Sequence, residues 1–226
     1  MQAPHAFAPG RVSRSYGAMK PALISADWGT SSLRLYLADA DGMPIARRET
    51  AEGILAVADR RFAEVLITAT AAWRKVHGDL PVLLSGMIGS RQGWVEAPYA
   101  RCPVPLAELA AQLVTLAAPG ISTIRLVPGV STRDAAGRPD VIRGEETQIL
   151  GAIALGSPRD GLYLLPGTHS KWVTVEAGRI AGFRTYMTGE VYAAVKGHTI
   201  LNHLMTADTG GGAMPAGLYS GTELDD

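Results

Sequence analysis

The chain has 226 residues, 47% hydrophobic and 19% charged, which is enough apolar material for a packed core and excludes wholesale disorder. Basic and acidic residues balance at 21 each, which argues against a nucleic-acid binder working through a strongly basic surface, and no apolar run reaches the length of a membrane span. One cysteine, Cys102, rules out an intramolecular disulfide and suits a cytoplasmic enzyme better than a small secreted scaffold.

Residues 1–20 hold Pro4, Pro9, Gly10 and Gly17 without apolar periodicity. They lack the continuous apolar stretch of a secretory signal and read as a disordered extension. Ala22–Gly29 predicts a strand, ending at a Gly-Thr-Ser-Ser turn. Leu33–Ala38 follows, with Leu33, Leu35 and Leu37 alternating against Arg34 and Tyr36. Asp41-Gly42 marks a turn, and Ile45–Thr50 returns as a third strand. Phe62, Val65, Leu66, Ala69, Trp73 and Val76 recur at helical spacing, with Gly78 as the stop. Pro81–Met87 is a short, continuously apolar strand of the kind buried on both faces. Leu106, Leu109, Leu113 and Leu116 predict a further helix, Ile124–Val127 a strand, and Glu145–Leu155 a helix ended by Gly156.

The first pattern then returns. DWGTSSLRLYLADADG from Asp27 and LPGTHSKWVTVEAG from Leu165 share a strand, a Gly-Thr-x-Ser turn, an alternating strand and an acidic-Ala…Gly turn. A third strand over Ile180–Met187 follows the second copy, and a helix through Val191, Val195, His198 and Leu201 follows that. A unit used twice predicts two related α/β lobes. Only the first copy carries a carboxylate, because Asp27 aligns with Leu165.

Gly-Thr-x-Ser turns offer amide and hydroxyl donors that can cradle phosphate oxygens, and they are also ordinary hairpin chemistry. Asp27 beside the first turn can hold Mg²⁺, which takes one or two carboxylates and leaves its other positions to water and phosphate. Arg143-Gly144-Glu145-Glu146-Thr147 opens a helix. Its carboxylates suit the helix dipole, and one of them can also serve as a general base. Lys171 can neutralise phosphate charge, and His169 sits in the same loop. Ser85-Gly86-Met87-Ile88-Gly89-Ser90-Arg91 follows a buried strand, where α/β folds tend to bind ligands. Arg91 can pair with a substrate carboxylate through a bidentate fork. Walker A, GxGxxG, GxSxG and HExxH motifs are all absent.

SADWGTSSLRLYL, LLSGMIGSRQGWVEAPYARCP, IRGEETQILGA, LPGTHSKWV and FRTYMTGE, in this order, resemble the 2-dehydro-3-deoxygalactonokinase family of the sugar kinase/Hsp70/actin superfamily. The resemblance covers about residues 22–205. It implies an actin-like ATPase architecture of two RNase H-like lobes, with residues 21–142 as the first lobe and 143–206 beginning the second. The chain is expected to be C-terminally truncated, its second lobe incomplete and residues 207–226 a disordered tail. Apolar side chains of that lobe, among them Trp172, Phe183, Tyr186 and Val191, are then expected to stay partly exposed and to favour self-association.

The implied activity is ATP- and Mg²⁺-dependent phosphorylation of the 6-hydroxyl of a sugar acid, 2-dehydro-3-deoxy-D-galactonate, in galactonate catabolism; this truncated form would be a poor kinase. By position, Gly29, Thr30, Ser31 and Ser32 form the first phosphate motif. Gly167, Thr168, His169, Ser170 and Lys171 form the second. Ser85, Gly86, Met87 and Arg91 face the substrate, Asp27 organises the metal, and Glu145 or Glu146 is the base. The competing readings are a phosphohydrolase, whose carboxylate activates water, and a non-catalytic remnant that binds phosphate or a partner.

Overall fold

The computed structural model describes residues 20–200. These fall into two compact units, one of residues 20–165 with 171–184, the other of residues 166–170 with 185–200.

The larger unit is built on strands β1 (Leu23–Trp28), β2 (Leu33–Ala38), β3 (Pro44–Thr50), β4 (Val82–Ser85), β7 (Val114–Ala118) and β8 (Ile121–Leu126). They form one sheet in the order β3-β2-β1-β4-β8-β7. The β1–β2–β3 meander is antiparallel, as its tight turns require, whereas β4 runs parallel to β1 and β8 parallel to β4. The crossover between β1 and β4 includes helix α1 (Phe62–His77). Gly78 ends that helix with φ +82° and caps the Arg74 carbonyl. Trp28, Leu33, Leu35, Phe62, Leu66, Leu84, Ile124 and Leu126 lie in one core, where the Trp28 and Phe62 rings meet edge to face at 5.7 Å.

Leu116 belongs to a strand rather than a helix, and Leu113 lies in the short link ahead of it. Helix α2 stops at Leu106–Ala111, and β7 begins at Val114. Leu116 pairs with Ile124 across a hairpin that turns at Gly120, so sheet pairing overrides the helical spacing of Leu109, Leu113 and Leu116.

Three further short strands, β5 (Tyr99–Arg101), β9 (Gly129–Arg133) and β10 (Pro139–Ile142), form a small sheet in the order β10-β9-β5. Helix α3 (Glu145–Ala154) follows directly. A four-stranded sheet of β11 (Gly161–Leu165), β12 (Ser170–Glu176), β13 (Arg179–Tyr186) and β6 (Val104–Pro105) completes the set. Ile149 and Leu150 of α3 share a second core with Val130, Ile142, Val173, Val175, Ile180 and Phe183. The β12–β13 turn places Ala177 and Gly178 at φ +49° and +74°, the paired positive angles of a type I′ hairpin. The β11–β12–β13 meander followed by a helix repeats the plan of β1–β2–β3 and α1, as the doubled motif predicts. This is the α/β, RNase H-like arrangement the resemblance implies.

In the smaller unit, helix α4 (Thr188–His198) buries no side chain, and Val191 and Tyr192 are exposed. Trp172 and Tyr186 are also exposed, but Phe183 is 7% exposed. The expectation of exposure fails for Phe183 because it lies on the face of β13 that packs into the second core. No helix among the described residues is long and apolar enough to cross a membrane. The expected N-terminal extension (except Lys20), Leu201 of the expected last helix and the tail lie outside the described residues.

Candidate active site

Three stretches of the larger unit converge where β1 and β4 end. Asp27 is the penultimate residue of β1, directly opposite Ser85 at the end of β4 in the parallel register. Its neighbours Ala26 and Trp28 point into the core, so alternation turns the Asp27 side chain to the other face. Gly86 then takes φ +90°, ψ −157°, a region open essentially to glycine alone. A Cβ at this position would stand 2.9 Å from the Trp28 carbonyl oxygen and 3.1 Å from Asp27 Oδ1. On its other side, a Cβ at Gly144 (φ +112°) would stand 3.3 Å from Gly86 Cα. Two glycines therefore bring the start of α3 against the end of β4, beside the Asp27 carboxylate.

The first turn of α3 uses its carboxylates locally. Glu145 Oε2 accepts the Arg143 backbone N–H at 2.9 Å. Both oxygens of Glu146 accept the Gly144 N–H, at 2.9 and 2.7 Å, and the Thr147 hydroxyl donates to Oε1 at 3.2 Å. These bonds tie the two carboxylates to the residues that lead into the helix, Gly144 at its N-cap and Arg143 just before it. The two carboxylates differ in surroundings. Glu145 is half-buried, whereas Glu146 has no exposed surface. Burial pushes the Glu146 carboxyl up to about 7, with the neighbouring Glu145 charge adding to the rise and the Gly144 N–H opposing it.

Asp27 Oδ2 pairs with Arg34 at 3.4 Å, and Arg34 in turn pairs with Glu49 at 3.0 Å. Arg34 stands directly across the β1–β2 ladder from Asp27. The hairpin register, countable from the Gly-Thr-Ser-Ser turn, is the sequence signal for this pairing.

The first turn is braced from behind. Gly29 N–H bonds the Ser32 carbonyl at 2.9 Å, and the Gly29 and Thr30 carbonyls accept Ile54 and Leu55 N–H at 3.0 and 3.3 Å. Gly53 permits this contact, because a Cβ there would stand 2.3 Å from the Thr30 oxygen. Thr30 and Ser31 are exposed. With these carbonyls engaged, the turn has amide and hydroxyl donors left to offer a ligand.

In the smaller unit, the second turn is tied to the start of α4. Thr168 O accepts the Glu190 N–H at 3.0 Å, His169 Nε2 contacts Glu190 Oε2, and the Ser170 and Thr188 hydroxyls bond each other. Gly189 lies so close that a Cβ would come 2.5 Å from the Gly167 oxygen. Lys171, on the larger unit, is 8% exposed, and its ammonium donates to the Val141 carbonyl at 3.2 Å.

Of the substrate-side residues, Ser85 is buried and donates its hydroxyl to the Ala26 carbonyl at 3.3 Å. Met87 packs partly against the first core. The Arg91 side chain is 88% exposed, with Glu96 at 3.6 Å. The cation that is buried here is Arg143, at 9% exposure. Its place in the Arg143–Thr147 motif carries no signal of this burial.

A model of the 2-keto-3-deoxy-galactonokinase family matches residues 27–223. The chain belongs to this family. Over 185 residues it is 44% identical to a Rhizobium meliloti (strain 1021) protein carrying the 2-dehydro-3-deoxygalactonokinase name, a match spanning 81% of this chain and 59% of that protein. The Escherichia coli (strain K12) 2-dehydro-3-deoxygalactonokinase is 36% identical over 180 residues, 80% of this chain and 56% of its own length. A crystal structure from Sinorhizobium meliloti that carries the family's kinase name superposes with a TM-score of 0.71 at 43% identity, covering 80% of this chain and 59% of that one. The chain thus spans less than two thirds of the length of these relatives.

Mg²⁺ fits this donor set only as a shared ligand. Among the described residues no group of three or more His, Cys, Asp or Glu side chains could hold a metal ion. Asp27 is a single hard-oxygen donor at the strand ends, which suits an ion that takes most of its shell from water and phosphate.

Proposed function

We propose that the protein is an ATP-dependent kinase that phosphorylates the 6-hydroxyl of 2-dehydro-3-deoxy-D-galactonate. The observation that carries the reading is the convergence of Asp27, Gly86 and the Gly144-Glu145 start of α3 at the ends of two parallel strands. Phosphoryl transfer asks little covalent chemistry of a protein and depends on positioning and charge stabilisation. Glu145 is the better base of the pair. One of its oxygens holds the Arg143 N–H, and the other is left for a substrate hydroxyl. Glu146 is sealed from solvent with both oxygens on Gly144.

In the proposed step Glu145 takes the proton of the 6-hydroxyl as its oxygen attacks the γ-phosphorus. The bond from phosphorus to the β–γ bridging oxygen breaks, and ADP departs. Gly29–Ser32 and Gly167–Ser170 are turns of a kind that donates to phosphate oxygens, and Lys171 follows the second. Bound Mg²⁺, held by Asp27 and phosphate, would neutralise developing charge. Arg91 is exposed and only loosely tied to Glu96, which leaves it available to the substrate carboxylate. A cytoplasmic location agrees with this reading, because the proposed reaction consumes ATP.

The test is calorimetric titration of Mg-ATP into the purified chain, followed by ADP release measured with and without the sugar acid. Acid-dependent release that falls by orders of magnitude in Asp27→Asn, with the melting temperature kept, is the expected result. Release indifferent to the acid would favour hydrolysis, and unchanged turnover in Asp27→Asn would overturn the assignment of Asp27.

A further inference from the structure

We propose that Arg143 is a positioning residue, whose buried side chain fastens the start of α3 to the segment following β4 and so fixes Glu145 relative to Gly86 and Asp27. The inference rests on the kinase reading above for its catalytic consequence. Its geometric part stands independently.

One side chain touches that segment at three points. Nη2 donates to the Ala97 carbonyl at 2.8 Å. The guanidinium lies over the Tyr99 ring, 4.3 Å from its centroid. Nη1 rests on Gly89, where a Cβ would come within 2.8 Å of it. The backbone of the same residue holds the Glu145 carboxylate, and the next residue, Gly144, lies against Gly86. Arg143 is therefore a strut between the two stretches that meet at Asp27.

The strut is an expensive one. Among the described residues no carboxylate pairs with this guanidinium, and its Nε and Nη1 atoms are buried without a hydrogen-bond partner. A buried cation so poorly compensated destabilises a fold relative to an apolar side chain of similar size. What the guanidinium provides and an apolar chain does not is a planar group that stacks on Tyr99 while reaching a carbonyl in a fixed direction. Its contribution is the geometry of the junction rather than overall stability.

Arg143→Met keeps the bulk of the side chain and removes both the donor and the stack. Arg143→Lys can still reach the Ala97 carbonyl but cannot form the planar stack. In the full chain, Arg143→Met is expected to raise amide exchange about tenfold in peptides covering 86–99 and 142–148, with β1 and β2 unchanged, the signature of a local opening. Turnover is expected to fall about 10–100-fold, the scale of a small misplacement of reacting groups, with KM for ATP within about threefold. Arg143→Lys should recover part of the loss. Arg91→Met serves as the contrast and should raise KM for the acid without altering exchange. Turnover of Arg143→Met within twofold of the wild type would overturn the proposal. So would exchange that rises evenly across the chain together with a lower melting temperature, because that marks a merely stabilising side chain. If the wild type itself transfers no phosphate to the acid, the kinase reading fails, and the exchange pattern alone decides whether Arg143 fastens the junction.

Discussion

Glu146→Gln should make the protein more stable at alkaline pH and leave it nearly unchanged at acid pH. In the unfolded chain this carboxyl takes its ordinary value near 4.5, while in the fold burial raises it to about 7. Between those values the folded protein holds a proton that the unfolded chain has released. The stability associated with the residue is therefore fully present below pH 4.5 and is lost as pH rises through 7. The gap, at roughly 1.4 kcal/mol per pH unit, amounts to about 3 kcal/mol by pH 8. Glutamine does not titrate and has the shape of the protonated acid, so at pH 5 the two proteins should differ little. At pH 8 the variant should lead by up to about 3 kcal/mol, less about 1 kcal/mol for a weaker acceptor facing the Gly144 N–H. Urea denaturation followed by tryptophan fluorescence at pH 5, 6, 7 and 8 measures the difference directly; Glu145, whose charge couples to Glu146, contributes to it, and titrating groups without such coupling are common to both proteins and cancel. A difference that stays constant across this range, or a wild type that is the more stable at pH 8, would refute the claim that Glu146 is held protonated by burial.

The strands of the first meander and the helix after it were legible because local rules decide them. Leu33, Leu35 and Leu37 alternate, and Gly78 is a helix stop whatever surrounds it. The failure at Leu113 and Leu116 has the opposite cause. Their spacing fits a helix, but Val114–Ala118 is bound by its hairpin partner Ile121–Leu126, a non-local preference invisible to a periodicity. The strands β5, β9 and β10 escaped reading for a similar reason, being short and partly polar, and β5 is paired with a strand about thirty residues away. The candidate site follows the same division. Asp27, Gly86 and Gly144 each stand in a readable motif, but their meeting depends on the Asp27–Ser85 register and on two backbones approaching within the reach of a missing Cβ. Arg91 and Arg143 show the limit most sharply. Both are arginines beside motifs, and only the fold makes one 88% exposed and the other a buried strut.

Two further predictions concern the meeting of β1, β4 and α3. Glu145→Gln should lower turnover about 10²–10⁴-fold, the usual contribution of a positioned base, with little change in melting temperature; a loss below threefold in the ADP-release assay would return the role to Glu146 or to solvent. Gly86→Ala should cost activity beyond its cost in stability, and Gly42→Ala supplies the comparison. Both glycines have positive φ, +90° and +79°, so alanine is strained at either, by about 1–3 kcal/mol. At Gly42 nothing lies within 4 Å of the added carbon, so the strain is the whole effect and turnover of the folded protein should hold. At Gly86 the added carbon meets the Trp28 carbonyl oxygen at 2.9 Å and Asp27 Oδ1 at 3.1 Å. The first of these is closer than side-chain carbons pack, and a carbonyl in a sheet ladder cannot swing away. Either β4 recedes from β1, or residue 86 turns and pushes Gly144 outward. In both cases Asp27 and Glu145 no longer stand as they do now. Turnover per folded molecule, with the folded fraction fixed by circular dichroism at the assay temperature, separates the two substitutions. An equal loss in both, or a Gly86→Ala protein with wild-type turnover, would show that the close approach of these backbones has no part in the chemistry.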